Sequence, residues 1–428
     1  MTPSPVTPAA KAPDGPLSCF DLDDRQLSVE QARDTLLTLV EAPLPQERIA
    51  LHAAHGRRLA ESITAPIDVP QNTNAAMDGI ALAWQAGQAR WALAGQALAG
   101  APFTTTLAPG ECVTIATGAP LPSGADTVIM REQLEIHADH VMVASPDRVT
   151  PGQNVRQAGE DIARGSVALT VGERLDAARL GFAASLGAGE VAVYRRPRVA
   201  VFSTGSEVTA PGEALPAAGI FDANRFTLGG LVREHQAEVI DLGILPDCPA
   251  TIREALDRAT ADADLVLTSG GVSMGQADYT REALDAIGQL AFWRVAMRPG
   301  RPLACGWLGE ARTPFVGLPG NPVAAMVAFL QFVAPLLERL EDRPPRPPTR
   351  RQAVAEETFT GREGRCDFIR GVYTVDARGR LGVRSTGAQG SGILASMVDA
   401  NCLIELPDTC AAVSPGDTVT IQPLRRDP

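Results

Sequence analysis

Residues 265–273 read LVLTSGGVS, an apolar run that ends in a loop of serine and glycine. A short apolar run that stops at glycine is typical of a buried strand. Similar runs occur at 199–202, at 238–242 and near 314–317, and segments of helical length separate them. This alternation predicts a three-layer α/β domain with a mainly parallel sheet over residues 195–340.

The helices of this domain are predicted from apolar residues at helical spacing between the strands. They are expected near 225–235, 249–260 and 279–287, and a long helix is expected to begin at Pro322. Because Asn321 precedes Pro322, we predict that Asn321 is the N-cap of that long helix.

The segments before the α/β domain differ in character. Residues 1–22 read as a flexible tail rich in proline and alanine. Ser28-Val29-Glu30-Gln31 is a capping box that predicts a helix over about 28–41, and residues 175–186 also have a helical pattern. We therefore expect a helical linker domain made of residues 23–63 and 156–194, with a β-rich domain of residues 64–155 inserted into it.

The chain after the α/β domain begins with a proline-rich linker, residues 341–348, which cannot continue a helix. Beyond it, strand-like runs at 403–406 and 418–424 predict a small β domain over residues 349–426.

The composition excludes several classes of protein. The chain has 428 residues, 45% hydrophobic and 21% charged, which is typical of a folded multidomain protein. A net charge of −12 argues against nucleic-acid binding. No apolar run reaches the roughly 18 residues that cross a bilayer, and the apolar stretch at 322–337 contains Gln331 and is followed by Glu338 and Arg339, so we expect no membrane span. The N-terminus does not resemble a secretory signal, which favours a cytoplasmic protein.

The reactive residue types narrow the chemistry further. Lys11 is the single lysine, and it lies in the tail, which excludes lysine-dependent phosphate loops and Schiff-base mechanisms. The seven cysteines include no Cys-x-x-Cys pair, so we interpret them as small buried hydrophobes rather than disulfides or zinc ligands.

Four loops are expected at the carboxyl edge of the predicted sheet, where ligands bind in folds of this type. Glycines in them let backbone amides approach a ligand, and the start of a helix favours an anion. The loops are residues 203–207, 245–247, 269–273 and 318–322. Together they predict one cleft that binds an anion.

Charged residues accompany these loops. Carboxylates can face a phosphate-sized anion only if a cation such as Mg²⁺ lies between them, whereas arginines can clamp the anion directly. The candidate metal ligands and catalytic acids are Glu207, Asp247 and Asp278. The candidate clamping residues are Arg298 and Arg301.

A competing pattern lies inside the third loop. Residues 271–275 read GVSMG, which matches the Gly-x-Ser-x-Gly nucleophile elbow of α/β-hydrolases. That fold needs a histidine after the serine, but all five histidines precede Ser273. Ser273 is therefore not expected to be a nucleophile.

Six stretches together resemble the molybdopterin molybdenumtransferase family, whose relatives include the E domain of gephyrin, and the resemblance spans about residues 25–425. They are AMDG at 76–79, TGAPLPSGAD at 117–126, NVR at 154–156 with GED at 159–161, SGGVSMGQADY at 269–279, RPGRP at 298–302 and LPGNP at 318–322.

The resemblance implies a reaction and a set of partners. It implies an enzyme that inserts molybdate into adenylylated molybdopterin, with Mg²⁺-dependent release of AMP. It also implies a homodimer, and contact with a molybdopterin adenylyltransferase and with molybdoenzymes.

The resemblance implies roles for individual residues as well. Asp247 and Asp278, with Glu207 close by, would form the metal and pyrophosphate site. A second cleft, completed by the other subunit of the dimer, would contain Asp78, Thr117, Arg156 and Asp161. The remaining residues expected to contact substrate are Ser269, Gly270, Gly271, Ser273, Arg298, Arg301, Pro319, Asn321, Pro322 and Ser391.

The chain departs from the family pattern at four positions. Ala75 and Ile80 stand where serine and tyrosine are usual, which puts one hydroxyl and one aromatic contact with substrate in doubt. Arg298 and Arg301 stand where lysines are usual, so the positive charge is kept.

Two other functions stay open at this point. A molybdopterin adenylyltransferase has a similar α/β core but lacks the flanking domains predicted here. A non-catalytic scaffold would need none of the retained acids and arginines.

Overall fold

The computed structural model describes residues 26–270, 286–344 and 347–424, together with Glu282 and Leu284. The chain forms two compact units. One consists of residues 46–193, and the other combines the first 45 residues with the chain from Tyr194 onward.

The second unit contains the predicted α/β domain. Among its described strands, four of the six pairings in the main sheet are parallel, which confirms the mainly parallel sheet. In order across the sheet, the strands are Gln26–Leu27, Gly288–Val295, Pro302–Leu308, Thr313–Leu318, Leu265–Ser269, Arg198–Thr204 and Glu238–Leu245.

The strands Gly288–Val295 and Pro302–Leu308 were missed by the sequence analysis. They form an antiparallel pair, so no helix separates them and they do not follow the alternation of strand and helix. The signal for the first strand was the run LAFWRV at 290–295, which is apolar except for Arg294. In the structure Ala291, Trp293 and Val295 are buried.

Helices cover both faces of this sheet, as a three-layer fold requires. Along the strand Arg198–Thr204, Val199 and Val201 belong to one buried cluster, whereas Ala200 and Phe202 belong to another on the opposite face. The first cluster is covered by the helices Val29–Leu37, Asn224–Glu234 and Pro322–Leu340, and the second by the helix Pro249–Asp262.

The helix Val29–Leu37 begins with the predicted capping box. The Gln31 backbone N–H donates to Ser28 Oγ over 3.1 Å, and the Ser28 N–H donates to the Gln31 side chain over 3.0 Å. This helix packs into the α/β core through Ala32 and Leu36, so it differs from the prediction that it belongs to a separate linker domain. The apolar face of this helix could be predicted from the sequence, but the domain against which that face packs could not.

The helix Pro322–Leu340, here called the core helix, contains a π-helical turn at Phe329–Val333. Among the described residues it is the one helix long and apolar enough to cross a membrane, and 78% of that apolar window is buried inside the protein. Its apolar character is explained by its place in the α/β core.

Residues 351–423 form the predicted small β domain. Its strands are Arg351–Ala355, Phe359–Thr360, Cys366–Val375, Leu381–Ser385, Cys402–Leu406, Ala412–Val413 and Thr418–Pro423, with a short helix at Ala395–Asp399. The strand Met297–Arg298 of the α/β domain joins this sheet by pairing in parallel with Cys366 and Asp367. Arg298 therefore lies where the two domains meet.

A buried polar chain also links the two domains. Arg33 donates through Nε to the Gln331 carbonyl over 3.0 Å, and Gln331 Nε2 donates to Gln422 Oε1 over 2.7 Å. Gln422 in turn donates to Glu405, which accepts two bonds from Arg350. A buried chain of this kind favours one geometry of docking, because any shift leaves polar groups without partners.

Residues 46–193 form a unit built mainly of strands. Its six-stranded sheet has the order Thr127–Met130, Gly79–Leu82, Glu111–Ile115, Arg90–Ala97, His140–Val143 and Leu134–Ile136. Apolar clusters cover both faces of this sheet.

The rest of this unit consists of short strand pairs and one α-helix, Ala177–Ser185, which Asp176 caps. The pairs are Asn74–Ala75 with Val155–Arg156, Ile63–Thr64 with Val167–Leu169, and Gln46–Ala50 with Glu190–Tyr194. The helix predicted at 175–186 is confirmed by Ala177–Ser185, but the rest of 46–63 and 156–194, which we predicted to form a helical linker domain, consists of short strands and turns.

Candidate functional site

The carboxyl edge of the sheet brings the predicted loops together. The strands that end at Thr204, Leu245, Ser269 and Leu318 are adjacent and parallel, so their following loops leave the sheet on the same side. The segments that follow Ser269 and precede Pro319 lie close together at Gly270. Gly270 has a φ of 89° and donates its N–H to the Leu318 carbonyl over 3.2 Å.

Ser269 is buried and connects three of these segments. Its Oγ donates to the Pro319 carbonyl over 3.2 Å and accepts from Asn224 Nδ2 over 2.6 Å. Asn224 Nδ2 also donates to the Gly320 carbonyl over 2.7 Å. The Ser269 hydroxyl thus holds the loops in place, which is consistent with the conclusion that this loop carries no nucleophile.

Asn224 and Asp222 were missed by the sequence analysis. Asp222 is 4% exposed, and its carboxylate accepts from Ser203 Oγ over 3.0 Å and from Arg225 Nε over 3.0 Å. The sequence signal for both residues was FDANR at 221–225. An acid and an amide directly before a predicted helix are typical of a loop that its own side chains hold by hydrogen bonds.

Glu207 and Asp247 lie at this edge as predicted, and both are exposed. The Glu207 carboxylate folds over Gly205, where a Cβ atom would lie 2.8 Å from Oε2. Because Gly205 also has a φ of 131°, only glycine fits there without strain. No cluster of three potential metal ligands occurs within the described residues.

Three predicted site residues, Gly271 and Ser273 of the third loop and Asp278 beyond it, lie outside the residues that the structure describes. A metal site that used Asp278 would therefore take at least one ligand from that segment.

The prediction that Asn321 is the N-cap of the core helix, with Pro322 at the first helical position, is confirmed. Asn321 occupies the N-cap position, but its side chain makes no capping bond and its Nδ2 donates to Ser391 Oγ over 3.0 Å. Instead, the Ser391 carbonyl accepts the Val323 N–H over 3.1 Å. A loop of the C-terminal β domain thus occupies one of the free donors of this helix.

Arg370 bonds to this loop and lies near Arg298. We call these two residues, together with Arg301 three residues after Arg298, the arginine group. Arg298 and Arg301 are exposed, whereas Arg370 is 1% exposed. Burial and the neighbouring charge of Arg298 lower the pKa of the Arg370 guanidinium to about 10.

Arg370 is bonded to neutral groups. Its Nε donates to Ser396 Oγ over 3.0 Å, and its Nη2 donates to the Gly390 carbonyl over 3.0 Å. Within the described ranges, no carboxylate bonds to any member of the arginine group. A buried cation beside a second cation is unfavourable unless an anion joins them, so this geometry points to an oxyanion site. Sequence reasoning missed Arg370 because it sits inside an ordinary strand pattern.

In the other unit, Asp78 and Thr117 lie together as predicted. Asp78 Oδ1 accepts from both the Oγ1 and the backbone N–H of Thr117, each over 2.7 Å. Both bonds lower the pKa of the Asp78 carboxyl, and the bond from the Thr117 side chain has the larger effect. The carboxylate is therefore held ionised and in one orientation.

Arg156 and Asp161 are exposed residues of the same unit. Arg156 pairs with Asn74 across a short ladder, and the neighbouring Ala75 donates its N–H to the Ala119 carbonyl. The strand Asn74–Ala75 thus joins the Arg156 segment to the loop after Thr117. Asp161 lies further along, where its N–H donates to the Val69 carbonyl over 2.9 Å.

The two departures from the family pattern in this unit are buried. Ala75 and Ile80 are each 0% exposed and belong to apolar clusters on opposite faces of the sheet. In this chain neither side chain is available to a ligand.

One cysteine contradicts the interpretation of the cysteines as buried residues. Cys112, Cys305 and Cys402 are buried, but Cys248 is exposed. Hydrogen bonds from Thr251, at the start of the helix Pro249–Asp262, lower the pKa of the Cys248 thiol.

Comparison with known proteins defines the class of the α/β domain. Residues 200–339 match the probable molybdopterin binding domain. Residues 27–187 match the MoeA N-terminal region, domains I and II, and residues 352–424 match the MoeA C-terminal region, domain IV.

The chain belongs to the molybdopterin molybdenumtransferase family. It is 42% identical over 400 residues to the molybdopterin molybdenumtransferase of Haemophilus influenzae, covering 93% of this chain and 98% of that protein. It is 33% identical to molybdopterin molybdenumtransferase 2 of Mycobacterium tuberculosis, over 92% and 98% of the two chains. The crystal structure of the molybdopterin biosynthesis MoeA protein from Pyrococcus horikoshii OT3 superposes with a TM-score of 0.79 at 28% identity, covering 93% of this chain and all of that one.

Proposed function

We propose that this protein inserts molybdate into adenylyl-molybdopterin, with Mg²⁺-dependent release of AMP. The observation that carries the proposal is the arginine group, in which buried Arg370 lies near Arg298 without a carboxylate partner among the described residues. Molybdate is a tetrahedral dianion, and it would supply the negative charge that this site lacks. The match of all three regions of the chain to the family supports the same reaction.

At the oxyanion end, we assign molybdate to Arg370, Arg298 and Arg301. The Ser391 loop would lie beside it, since Gly390 bonds to Arg370 and Ser391 bonds to Asn321. Arginine donors hold an oxyanion without giving up a proton, so the site would keep its charge over the whole physiological pH range.

At the phosphate end, we assign the pyrophosphate to the acids and loops of the carboxyl edge. The hard oxygen donors of Glu207, Asp247 and Asp278 suit Mg²⁺, which takes one or two carboxylates and completes its shell with phosphate oxygens. When bound, Mg²⁺ would neutralise phosphate charge and polarise the bond to AMP. The sparse acids of this edge fit such a site, because substrate would supply the remaining ligands.

The Ser/Gly loop and its neighbours would form the cradle between these two ends. Main-chain groups of Gly270, Gly271 and Ser273 would approach the pterin or phosphate, while the Ser269 side chain keeps Pro319 in place. We assign Asn321 and Pro322 to the same wall.

The Asp78 patch lies in residues 46–193, and we propose that it completes the cleft of a second subunit in a homodimer. Asp78, Thr117, Arg156 and Asp161 would be its contacts with substrate. We also propose that the enzyme acts in the cytoplasm, together with a molybdopterin adenylyltransferase and with molybdoenzymes that receive the product.

The proposal is tested with Asp247→Ala and Asp278→Ala. We expect both variants to fold normally and to lose AMP release from adenylyl-molybdopterin. Asp257→Ala is the matched control, since Asp257 is an exposed acid on the helix that follows Asp247. Full activity in both test variants would refute the proposed metal site. ATP-dependent adenylylation of molybdopterin by the wild type would instead identify an adenylyltransferase.

A further inference from the structure

Gln389 makes an unusual pair of contacts with the main chain of Arg370. The Arg370 N–H donates to Gln389 Oε1 over 2.8 Å, and Gln389 Nε2 donates back to the Arg370 carbonyl over 3.1 Å. A primary amide has a donor and an acceptor in one plane, so the side chain acts here as an extra peptide group paired to the strand.

The same side chain also ties its own loop together. Gln389 Nε2 lies 3.2 Å from the Gly387 carbonyl, and the Thr386 N–H donates to the Arg370 carbonyl over 3.0 Å. The next residue, Gly390, accepts from the Arg370 guanidinium. Main chain and side chain of Arg370 are thus both bonded to the stretch from Thr386 to Gly390.

The far end of this loop is bound to the α/β domain. Ser391 accepts from the Asn321 side chain over 3.0 Å and from the Val323 N–H over 3.1 Å. Only one residue separates Gln389 from Ser391. Gln389 therefore determines where the loop lies between Arg370 and the start of the core helix.

We propose that Gln389 is a positioning residue for the oxyanion end of the site. By fixing the loop against the Arg370 main chain, it sets the distance between Ser391 and the Arg370 guanidinium. The role rests on the proposed function, because it assumes that molybdate binds at the arginine group.

Only a primary amide supplies both contacts in this way, and asparagine is one methylene shorter than glutamine. Leucine has a similar volume but no polar atoms, so the Arg370 N–H and carbonyl would each lose a partner. Glutamate would keep the bond from the Arg370 N–H but lose the donor, and it would add negative charge beside an arginine that is meant to attract an anion.

The test measures molybdate binding by equilibrium dialysis and molybdate-dependent AMP release in the full-length protein. For Gln389→Leu we expect molybdate to bind about tenfold more weakly, the scale of one to two net hydrogen bonds. The half-saturating concentration of molybdate should rise, whereas that of adenylyl-molybdopterin should stay near wild type; the loss of two hydrogen bonds should also lower the melting temperature. A merely structural role would lower the melting temperature and weaken the binding of both substrates alike.

Gln352→Leu is the matched control. Gln352 is an exposed glutamine of the same domain that contacts Thr420 over 3.3 Å, away from the loop, and its replacement should leave molybdate binding unchanged. If Gln389→Leu proves unstable, Gln389→Glu provides the same test, because it keeps one of the two bonds and should still weaken molybdate binding.

The possible failures are distinguishable. If the wild type does not bind molybdate, the proposed oxyanion site is wrong, and the role of Gln389 falls with it. If the wild type binds molybdate and both Gln389 variants bind it equally well, only the role of Gln389 is wrong.

Discussion

The arginine group and the acids of the carboxyl edge belong to the same unit, but they differ in how far they are preorganised before substrate binds. Arg370 is buried and held by two hydrogen bonds, and its strand, loop and neighbours are tied to one another. Glu207 and Asp247 are exposed, and no cluster of three metal ligands occurs among the described residues.

This difference has a physical reason. Arginine is charged without help and can be buried where its hydrogen bonds are satisfied, so an oxyanion site can be built by the protein alone. Carboxylates gathered around an empty metal position would repel one another, and Mg²⁺ normally takes part of its shell from substrate phosphates. We therefore expect the arginine group to bind its anion first or independently, and the acids to bind metal together with substrate.

The largest effect is expected from Arg370→Met. Methionine fills a similar volume without charge, so AMP release at low molybdate should fall by about a hundredfold, the scale of one lost oxyanion donor. The free energy of unfolding should stay the same or increase, because a buried cation without a carboxylate partner is removed. Single-turnover assays and chemical denaturation measure the two quantities.

Arg380→Met is the control for that variant. Arg380 is an exposed arginine of the same domain, paired with Asp376 over 2.8 Å. Its replacement should change neither quantity. A large loss of stability in Arg370→Met with normal molybdate dependence would contradict the proposed oxyanion site, because Arg370 would then stabilise the fold without binding molybdate.

A smaller effect is expected from Asn224→Ala, on the acid side. The change removes both donors that hold Ser269 and Gly320, so the free energy of unfolding should fall by about 2 kcal/mol. AMP release should fall by roughly tenfold, the factor that corresponds to about 1.4 kcal/mol of lost positioning. Chemical denaturation and quenched-flow assays measure these changes. Glu234→Ala, at an exposed position of the same helix, should have no effect, and a wild-type rate in Asn224→Ala would contradict the role of this bond.

The smallest effect concerns Asp78, a carboxylate that is preorganised without a metal. Thr117→Val removes the largest of the causes that lower the Asp78 pKa, so the pKa should move up toward the ordinary value of 3.8. Because the folded pKa is lowered, the stabilisation from these bonds is present above the unfolded pKa and is lost as the pH falls through the folded pKa. Carboxyl carbon NMR between pH 2 and 6 follows the titration.

Thr114→Val, whose hydroxyl contacts the Gly95 carbonyl, is the control for this titration and should leave the Asp78 pKa unchanged. An unchanged Asp78 pKa in Thr117→Val would mean that the backbone bond alone holds the carboxylate.

Much of the α/β domain could be predicted from the sequence, because parallel strands leave local signals. Each of these parallel strands is a short apolar run followed by glycine or proline, and the strand ends from which the four predicted loops leave are adjacent at the carboxyl edge. The capping box at Ser28 is equally local, since both of its partners lie within one helical turn.

The features that sequence reasoning missed depend on contacts between distant residues. Asn321 is the N-cap that its sequence predicts, but its side chain donates to Ser391, seventy residues later, and not to its own helix. Arg370 looks like one charged position in a strand, but in the structure it is 1% exposed and bonded to Gly390 and Ser396, twenty or more residues later. Asn224 gains its role only when three loops meet. Sequence spacing carries no information about such encounters.

The most direct test of the proposed reaction is a single-turnover assay of the wild-type protein with adenylyl-molybdopterin and Mg²⁺, with and without molybdate. We predict that molybdate accelerates AMP release and that one molybdenum cofactor forms for each AMP. AMP release at the same rate without molybdate, with no cofactor formed, would contradict the proposal that the arginine group and the acids act on one substrate.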